Sequence, residues 1–203
     1  MLAFHPLKET QAPPQRLAQL LEEFQHIIAR DGMADMDEYG DMLKWALPSR
    51  EGWCRYFHAY HESFCSWNDR FYGTIHDHGG VIRGTVLLGA IDHGIYQATP
   101  NPDGTHSHRG QRYDLKRHKS HQQEGTEYEL APHVAHWPIP RGWTVTYFEE
   151  EDNGEMGDLV VRDGAETDAF AWEQEHADRR LPELQAAVTR RLAELQILSL
   201  IHI

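Results

Sequence analysis

The stretch Trp67–Gly89, WNDRFYGTIHDHGGVIRGTVLLG, carries His76 and His78 on either side of Asp77, and no other feature restricts the fold and chemistry of the chain so much. In extended backbone, residues two apart point to one face, so the pair aims two imidazoles at a single ion without a bend in the chain. Tyr72, Thr74 and Ile75 favour extended backbone ahead of the pair. The run from Arg83 to Leu88 continues as an apolar strand closed by Gly89. Two neutral imidazoles suit iron, zinc, copper or nickel, and such an ion needs at least one further ligand from elsewhere.

That ligand is sought among 15 histidines, and the segment YELAPHVAHWPIPRGWTVTYFE offers the best candidates in His136 and His133. Tyr128 to Leu130 and Thr144 to Phe148 read as strands flanking a proline-rich turn. Here the chain resembles the cupin superfamily, whose first motif supplies HxH, often a Glu, and then a Gly, and whose second reads roughly PxGxxH. His76, His78, Gly89, Pro132 and His136 match, His133 stands in the slot of the second motif's Gly, and Ile82 and Arg83 stand at the spacings of the missing Glu.

A cupin with three His and no carboxylate ligand is similar to the thiol dioxygenases, the group containing cysteine dioxygenase and mercaptopropionate dioxygenase. Trp67 nine residues before His76, the HDH triplet and Arg55 on the preceding strand extend the likeness, which covers Trp53 to Glu150. The resemblance implies a mainly β fold with a cupin-type jelly-roll barrel, to which helical periodicity adds N-terminal helices and a long C-terminal helix. The length suits one domain over 1–203, read as a helical segment 1–50, a barrel core 51–163 and a terminal helix 168–200. The resemblance implies Fe(II) held by His76, His78 and His136, with Arg55 clamping the carboxylate of a small thiol of cysteine or 3-mercaptopropionate type. Dioxygen then converts the thiol to its sulfinate. His133 remains open as a third ligand or as support behind the ligands. Another metal-dependent cupin enzyme (isomerase, lyase or carbon–carbon dioxygenase) and a non-catalytic metal- or ligand-binding cupin stay as alternatives.

Animal cysteine dioxygenases join a Cys shortly after HDH to a Tyr beyond the second motif. Here the fifth residue after His78 is Arg83, and the only cysteines, Cys54 and Cys65, precede the motif. The expectation is a site without that thioether, Arg83 either lining the cavity or pointing outward.

A formal charge of −13 argues against nucleic-acid and anionic-membrane partners, because the summed field repels phosphate. Two cysteines make no secreted disulfide framework, no segment approaches the roughly 20 apolar residues of a membrane helix, and the N-terminus lacks a signal-peptide pattern, which together predict a cytoplasmic protein.

Leu17, Leu20, Leu21, Phe24, Ile27 and Ile28 recur at helical spacing after Pro13 and Pro14, and a second short helix is predicted from Asp37 to Ala46, ended by Pro48. Strands are predicted at Arg55–Tyr60, Phe64–Trp67, Gly94–Gln97 and Leu159–Arg162. The segment His106–Gln123 holds a second HxH, His106 and His108, read as non-ligating because it follows a Pro/Gly turn. Its five Lys and Arg read as a solvated loop or edge strand. Aromatic residues Tyr60, Tyr72, Tyr96, Trp137 and Tyr147 are candidates for a cavity wall. Leu181, Leu184, Val188, Leu192, Leu195 and Leu198 stripe one face of the terminal helix, with Pro182 near its first turn. The helix is long enough to mediate a homodimer, and the apolar tail Ile197–Ile203 is expected to be buried or in contact with a partner.

Overall fold

The computed structural model describes residues 1–30, 35–36, 42–61, 75–158, 160–162 and 174–201. Among the described residues ten strands and two helices follow in the order β1 (Lys8–Gln11), α1 (Pro14–Arg30), β2 (Asp35–Met36), β3 (Met42–Arg50), β4 (Trp53–Tyr60), β5 (Ile82–Pro100), β6 (His106–His108), β7 (Gln111–Gln123), β8 (Thr126–Leu130), β9 (His136–Glu151), β10 (Val161–Arg162) and α2 (Gln174–Ile201). The mainly β, antiparallel architecture with a helix towards each end agrees with the sequence reading.

The long strand β5 ties the sheet together. Its first residues, Ile82–Thr85, pair with β8, its second half, Ala90–Pro100, pairs with β7, and β9 runs along the other edge from Ile82 to Ile95. Register shifts between Val86 and Ala90 let one strand serve both partners. Gly89 sits at that bend with φ +77, and a Cβ there would run into the Trp143 carbonyl, so only glycine fits. The sheet continues from β9 through β4, β3 and β2.

Alternation along the strands gives each face its own partner. Leu43, Trp45, Phe57, Ala59, Val145 and Tyr147 turn to one side, where α1 and α2 cover them. α1 begins with Pro14 in its first turn and buries Leu17, Leu20, Leu21, Phe24 and Ile28; α2 buries Leu184, Val188, Leu192 and Leu195 in the same cluster. The opposite face carries Ile82, Ile95, Leu130, Val134 and Phe148 and encloses the interior in which the histidines lie.

Several expectations need correction. The N-terminal segment is not all helical: the predicted second helix is strand β3 from Met42 onward, with Asp37 to Asp41 outside the described residues. Leu43 and Trp45 alternate with Met42 and Lys44 at period two, and Pro48 falls at a register shift where no ladder hydrogen bond is lost. The segment 106–123 is strand β6 and strand β7, the latter a full partner of β5. The proline-rich turn after His136 is also strand, with Pro138 and Pro140 opposite His93 and Ile91. Pro182 stands well inside α2. The strand predicted at Phe64–Trp67, with Tyr72 and Thr74, lies outside the described residues, as do Leu159 and the side chains of Leu198–Ile203, whereas Ile197 is exposed. Among the described residues no helix is long and apolar enough to cross a membrane.

Because the α2 stripe packs against α1 and the sheet, Leu184→Ala, at a side chain with no solvent exposure, should cost about 2–5 kcal/mol in urea unfolding. A loss under about 1 kcal/mol would contradict the docking of α2.

Candidate metal centre

His76 and His136 face one another because each backbone amide donates to the other's carbonyl, His76 N to His136 O at 3.1 Å and His136 N to His76 O at 2.8 Å. His78 follows two residues on, and its carbonyl accepts from His133 N at 2.9 Å. The ring centroids lie 4.4 Å apart for His76 and His136, 5.0 Å for His76 and His78, and 5.2 Å for His78 and His136. One ring nitrogen from each lies within 4.8 Å of the other two.

The neighbours of two of these rings decide which nitrogen faces the common point. Gln122 donates its amide N–H to Glu9 Oε1 at 3.3 Å, which orients its carbonyl oxygen to accept from His93 Nδ1–H at 3.2 Å. His93 Nε2 is then an acceptor, and His136 Nδ1–H donates to it at 2.7 Å. On the other side, His78 Nδ1–H donates to Glu150 Oε1 at 3.0 Å. Both Nε2 atoms are left with lone pairs, and both are buried without a hydrogen-bond partner. Orphaned buried acceptors are costly unless something fills them, and two convergent imidazole lone pairs beside a third imidazole fit a divalent first-row metal.

The electrostatics agree. Burial, reinforced by the neighbouring His76, His93 and His78, holds the His136 imidazole far below its ordinary pKa. Burial drives His93 down to about 3, against the Gln122 bond. Burial lifts the Glu150 carboxyl, but the His78 bond and the nearby His78, Lys44 and His76 outweigh it, so Glu150 stays ionised below the ordinary glutamate range. It therefore accepts from the far side of His78.

Asp77, between the two histidines, points the other way and anchors the loop. It accepts from Asp158 N at 2.7 Å and lies 3.2 Å from His133 Nδ1 and 3.4 Å from His108 Nε2, the last without hydrogen-bond alignment. Burial opposes its ionisation, but these partners keep its pKa below the ordinary value. Gly79, Gly80 and Gly157 admit the close approach, since a Cβ on any of them would collide with backbone of the facing loop. His133 adopts φ +59, the left-handed conformation that a glycine in its slot would take. It is grouped with Asp77 and Glu155 rather than with the three rings. His106 and His108 are likewise not part of the three-ring cluster.

Arg55 does not join the site. On β4 it shares the helix-covered face with Phe57 and Ala59, where its Nε donates to Tyr147 Oη at 2.7 Å and its guanidinium lies 3.9 Å from Glu149 and 4.0 Å from Glu23. Arg55 is therefore not placed to clamp a carboxylate in the interior, contrary to the expectation from the resemblance. Arg83 also points outward, 3.1 Å from Glu129 and stacked on Trp53. Tyr147 lies on Arg55's side and Tyr96 and Trp137 pack in a separate cluster, so of the proposed aromatic wall Tyr60 remains; Tyr72 is outside the described residues.

A cavity of about 630 Å³ opens onto the three histidines. Besides them its lining includes Lys44, Cys54, His58, Tyr60, Phe148 and Glu150, together with the further acidic residues Asp77, Glu151, Asp152, Glu155 and Asp158. Lys44, His58, His93 and Glu150 escaped the reading of motifs. His93 had a signal, being a polar residue in period-two alignment with the apolar Ile91 and Ile95.

Buried neutral His58, His93 and His136 predict acid sensitivity of the metal-free protein. Their folded pKa values lie below the ordinary 6.5, so unfolded chains take up protons that the folded state refuses. Stability is then full above about pH 6.5 and falls as pH drops below it, by about 1.4 kcal/mol per pH unit for each histidine. The depressed carboxylates Asp77 and Glu150 add their loss only below their ordinary values of 3.8 and 4.5. Thermal melting of chelated protein should shift down between pH 6.5 and 5; an unchanged midpoint would contradict the buried neutral state.

No protein-family model matches the sequence, and no curated protein does. Among solved structures the chain is similar to hydroxypropylphosphonic acid epoxidase from S. wedmorenis, at 11% identity and TM-score 0.39, over 58% of this chain and 53% of that one. It is similar to a mutant of salicylate 1,2-dioxygenase from Pseudoaminobacter salicylatoxidans, at 9% identity and TM-score 0.42, over 75% and 42%. A third is an uncharacterized conserved protein with a double-stranded β-helix domain from Klebsiella pneumoniae, at 14% identity and TM-score 0.38, over 63% and 96%. The chain spans about half of the epoxidase and less than half of the dioxygenase. Likeness at this level says nothing about chemistry.

Proposed function

We propose that the chain is a cupin-type non-heme iron thiol dioxygenase, with Fe(II) held by His76, His78 and His136. The observation that carries this reading is the donor set. Three imidazole nitrogens converge, two of them fixed as Nε2 donors, and the nearby Glu150 is engaged behind His78. Three neutral ligands leave a divalent ion its full charge and open positions, which suits binding of an anionic thiolate together with dioxygen.

Iron in such a site supplies electron density to dioxygen and a place for sulfur. The chain supplies the rest. His93 and Glu150 hold two ligand rings in orientation, Phe148 and Tyr60 present an aromatic wall, and the cavity has room for a small molecule. In the overall reaction both oxygen atoms pass to sulfur. The four electrons lost by the thiol sulfur on becoming a sulfinate match the four taken by dioxygen, so no oxoacid cosubstrate is needed. Substrate and dioxygen are the partners in this reading, and the acidic chain has no nucleic-acid role in it.

The test is iron analysis of protein purified without chelator, with an oxygen electrode used to screen cysteine, 3-mercaptopropionate and cysteamine. One iron per chain and oxygen uptake that depends on thiol are expected. His76→Ala, His78→Ala and His136→Ala should each lose stoichiometric iron, whereas His133→Ala should keep it. Iron retained by His136→Ala and lost by His133→Ala would overturn the ligand assignment. Bound metal without thiol-dependent oxygen uptake would favour a different cupin reaction or a binding role.

A further inference from the structure

His78 and His136 have their ligating nitrogens fixed in different ways. His78 Nδ1 faces Glu150, and a carboxylate only accepts, so that one contact keeps the ring proton on Nδ1. His136 Nδ1 faces His93 Nε2, and an imidazole nitrogen either accepts or donates. Beyond His93 stands Gln122, whose amide offers an acceptor on one side and donors on the other. His93 and Gln122 have no solvent exposure and His136 has 3%, so bulk solvent does not choose between the nitrogens.

The row Gln122–His93–His136 therefore has two directions with the same number of internal hydrogen bonds. In one, His93 Nδ1–H donates to the Gln122 carbonyl and His136 Nδ1–H donates to His93 Nε2, which leaves the His136 Nε2 lone pair for a metal. In the other, the Gln122 amide donates to His93 Nδ1, His93 Nε2–H donates to His136 Nδ1, and a proton stands on His136 Nε2 where the metal would bind. Reversal turns the amide over and moves one proton between the nitrogens of each ring, with no change of charge. Since each bond in the row polarises the next, the ends decide the direction.

The outer end is Glu9. It lies on β1, whose four residues are all exposed and which among the described residues pairs only with β8. Glu9 Oε1 accepts from Gln122 Nε2 at 3.3 Å and from the hydroxyl of Ser120, the residue directly opposite His93 in the β5–β7 ladder. A carboxylate has no proton to give, so Gln122 turns its N–H outward and its carbonyl towards His93. We propose that Glu9 is a remote positioning residue for the metal centre, polarising the row Gln122–His93–His136 in the direction that presents the His136 Nε2 lone pair. A metal at the inner end favours the same direction, so the Glu9 contact and metal occupancy reinforce each other. The inference rests on the three-histidine site of the proposed function and not on thiol chemistry.

The test is imidazole nitrogen NMR of chelated protein, which reads the protonated nitrogen of each ring, together with Zn(II) affinity measured by competition with a chromophoric chelator. Wild-type His93 and His136 should each carry the proton on Nδ1. Glu9→Lys places a donor at the outer end and should turn the row round. The His136 proton then moves to Nε2, and Zn(II) affinity falls about tenfold or more because the competent direction has become the minor one. Gln122→Glu, which accepts on both sides, should restore both readings in the Glu9→Lys protein. Thr10→Ala, on the same strand but bonded to Glu127 instead of the row, should change neither, which separates polarity from loosening of β1. The proposal is overturned if wild-type His136 carries its proton on Nε2, if Glu9→Lys leaves proton and affinity as in wild type, or if Thr10→Ala weakens Zn(II) as much as Glu9→Lys. The wild-type spectrum keeps the first of these decisive even where a variant fails to fold. Protons on Nδ1 in a wild type that binds no Zn(II) would uphold the direction of the row and refute the three-histidine site.

Discussion

Two backbone hydrogen bonds between His76 and His136 hold the rest of the site in place. They join the start of β9 to a loop that Val160 N–Ile75 O and Asp77 N–Asp158 O backbone bonds brace from its other edge, and they bring the two imidazoles together. His78 follows by the period of extended backbone, and Asp77, forced to the opposite side, closes the loop onto Asp158, His133 and His108. That pair sets the convergence of the three rings, while the close approaches at Gly79, Gly80 and Gly157 seat the loop against residues 151–158.

The second constraint is burial without solvent to choose a tautomer. In water an imidazole can present either nitrogen; here Glu9, Gln122 and His93 transmit an orientation from a partly open edge to a ring in the interior, and Glu150 does the same for His78. The same low-dielectric surroundings keep His58, His93 and His136 neutral, the form in which an imidazole accepts a metal. The chain's acidic balance extends to the cavity, where Lys44 is outnumbered by carboxylates and helps to hold Glu150 ionised.

What the sequence revealed and what it hid divide along one physical line. The HxH pair and His136 were legible because a motif with fixed spacing carries its geometry along the chain. The α1 face and the α2 stripe were legible because helical periodicity states which side is apolar. Strand alternation names two faces without saying which one is interior, and Arg55 fell on the wrong one: Phe57 and Ala59, its neighbours in alternation, are buried by α1 and α2, not by the interior. Lys44 was hidden by a short segment whose composition suits helix as well as strand, and only pairing with β4 decides it. His93 and Glu150 act through contacts with residues far away in sequence, which no local pattern records.

The central claim is that three imidazoles, and no carboxylate, hold a divalent iron. X-ray absorption spectroscopy at the iron edge of reconstituted protein tests it most directly. The structure predicts three nitrogen scatterers at about 2.1 Å with the outer-shell pattern of imidazole rings, the remaining positions being filled from solvent. A best fit with fewer than three imidazoles, or with the carbon scattering of a coordinated Glu150 carboxylate, would contradict it.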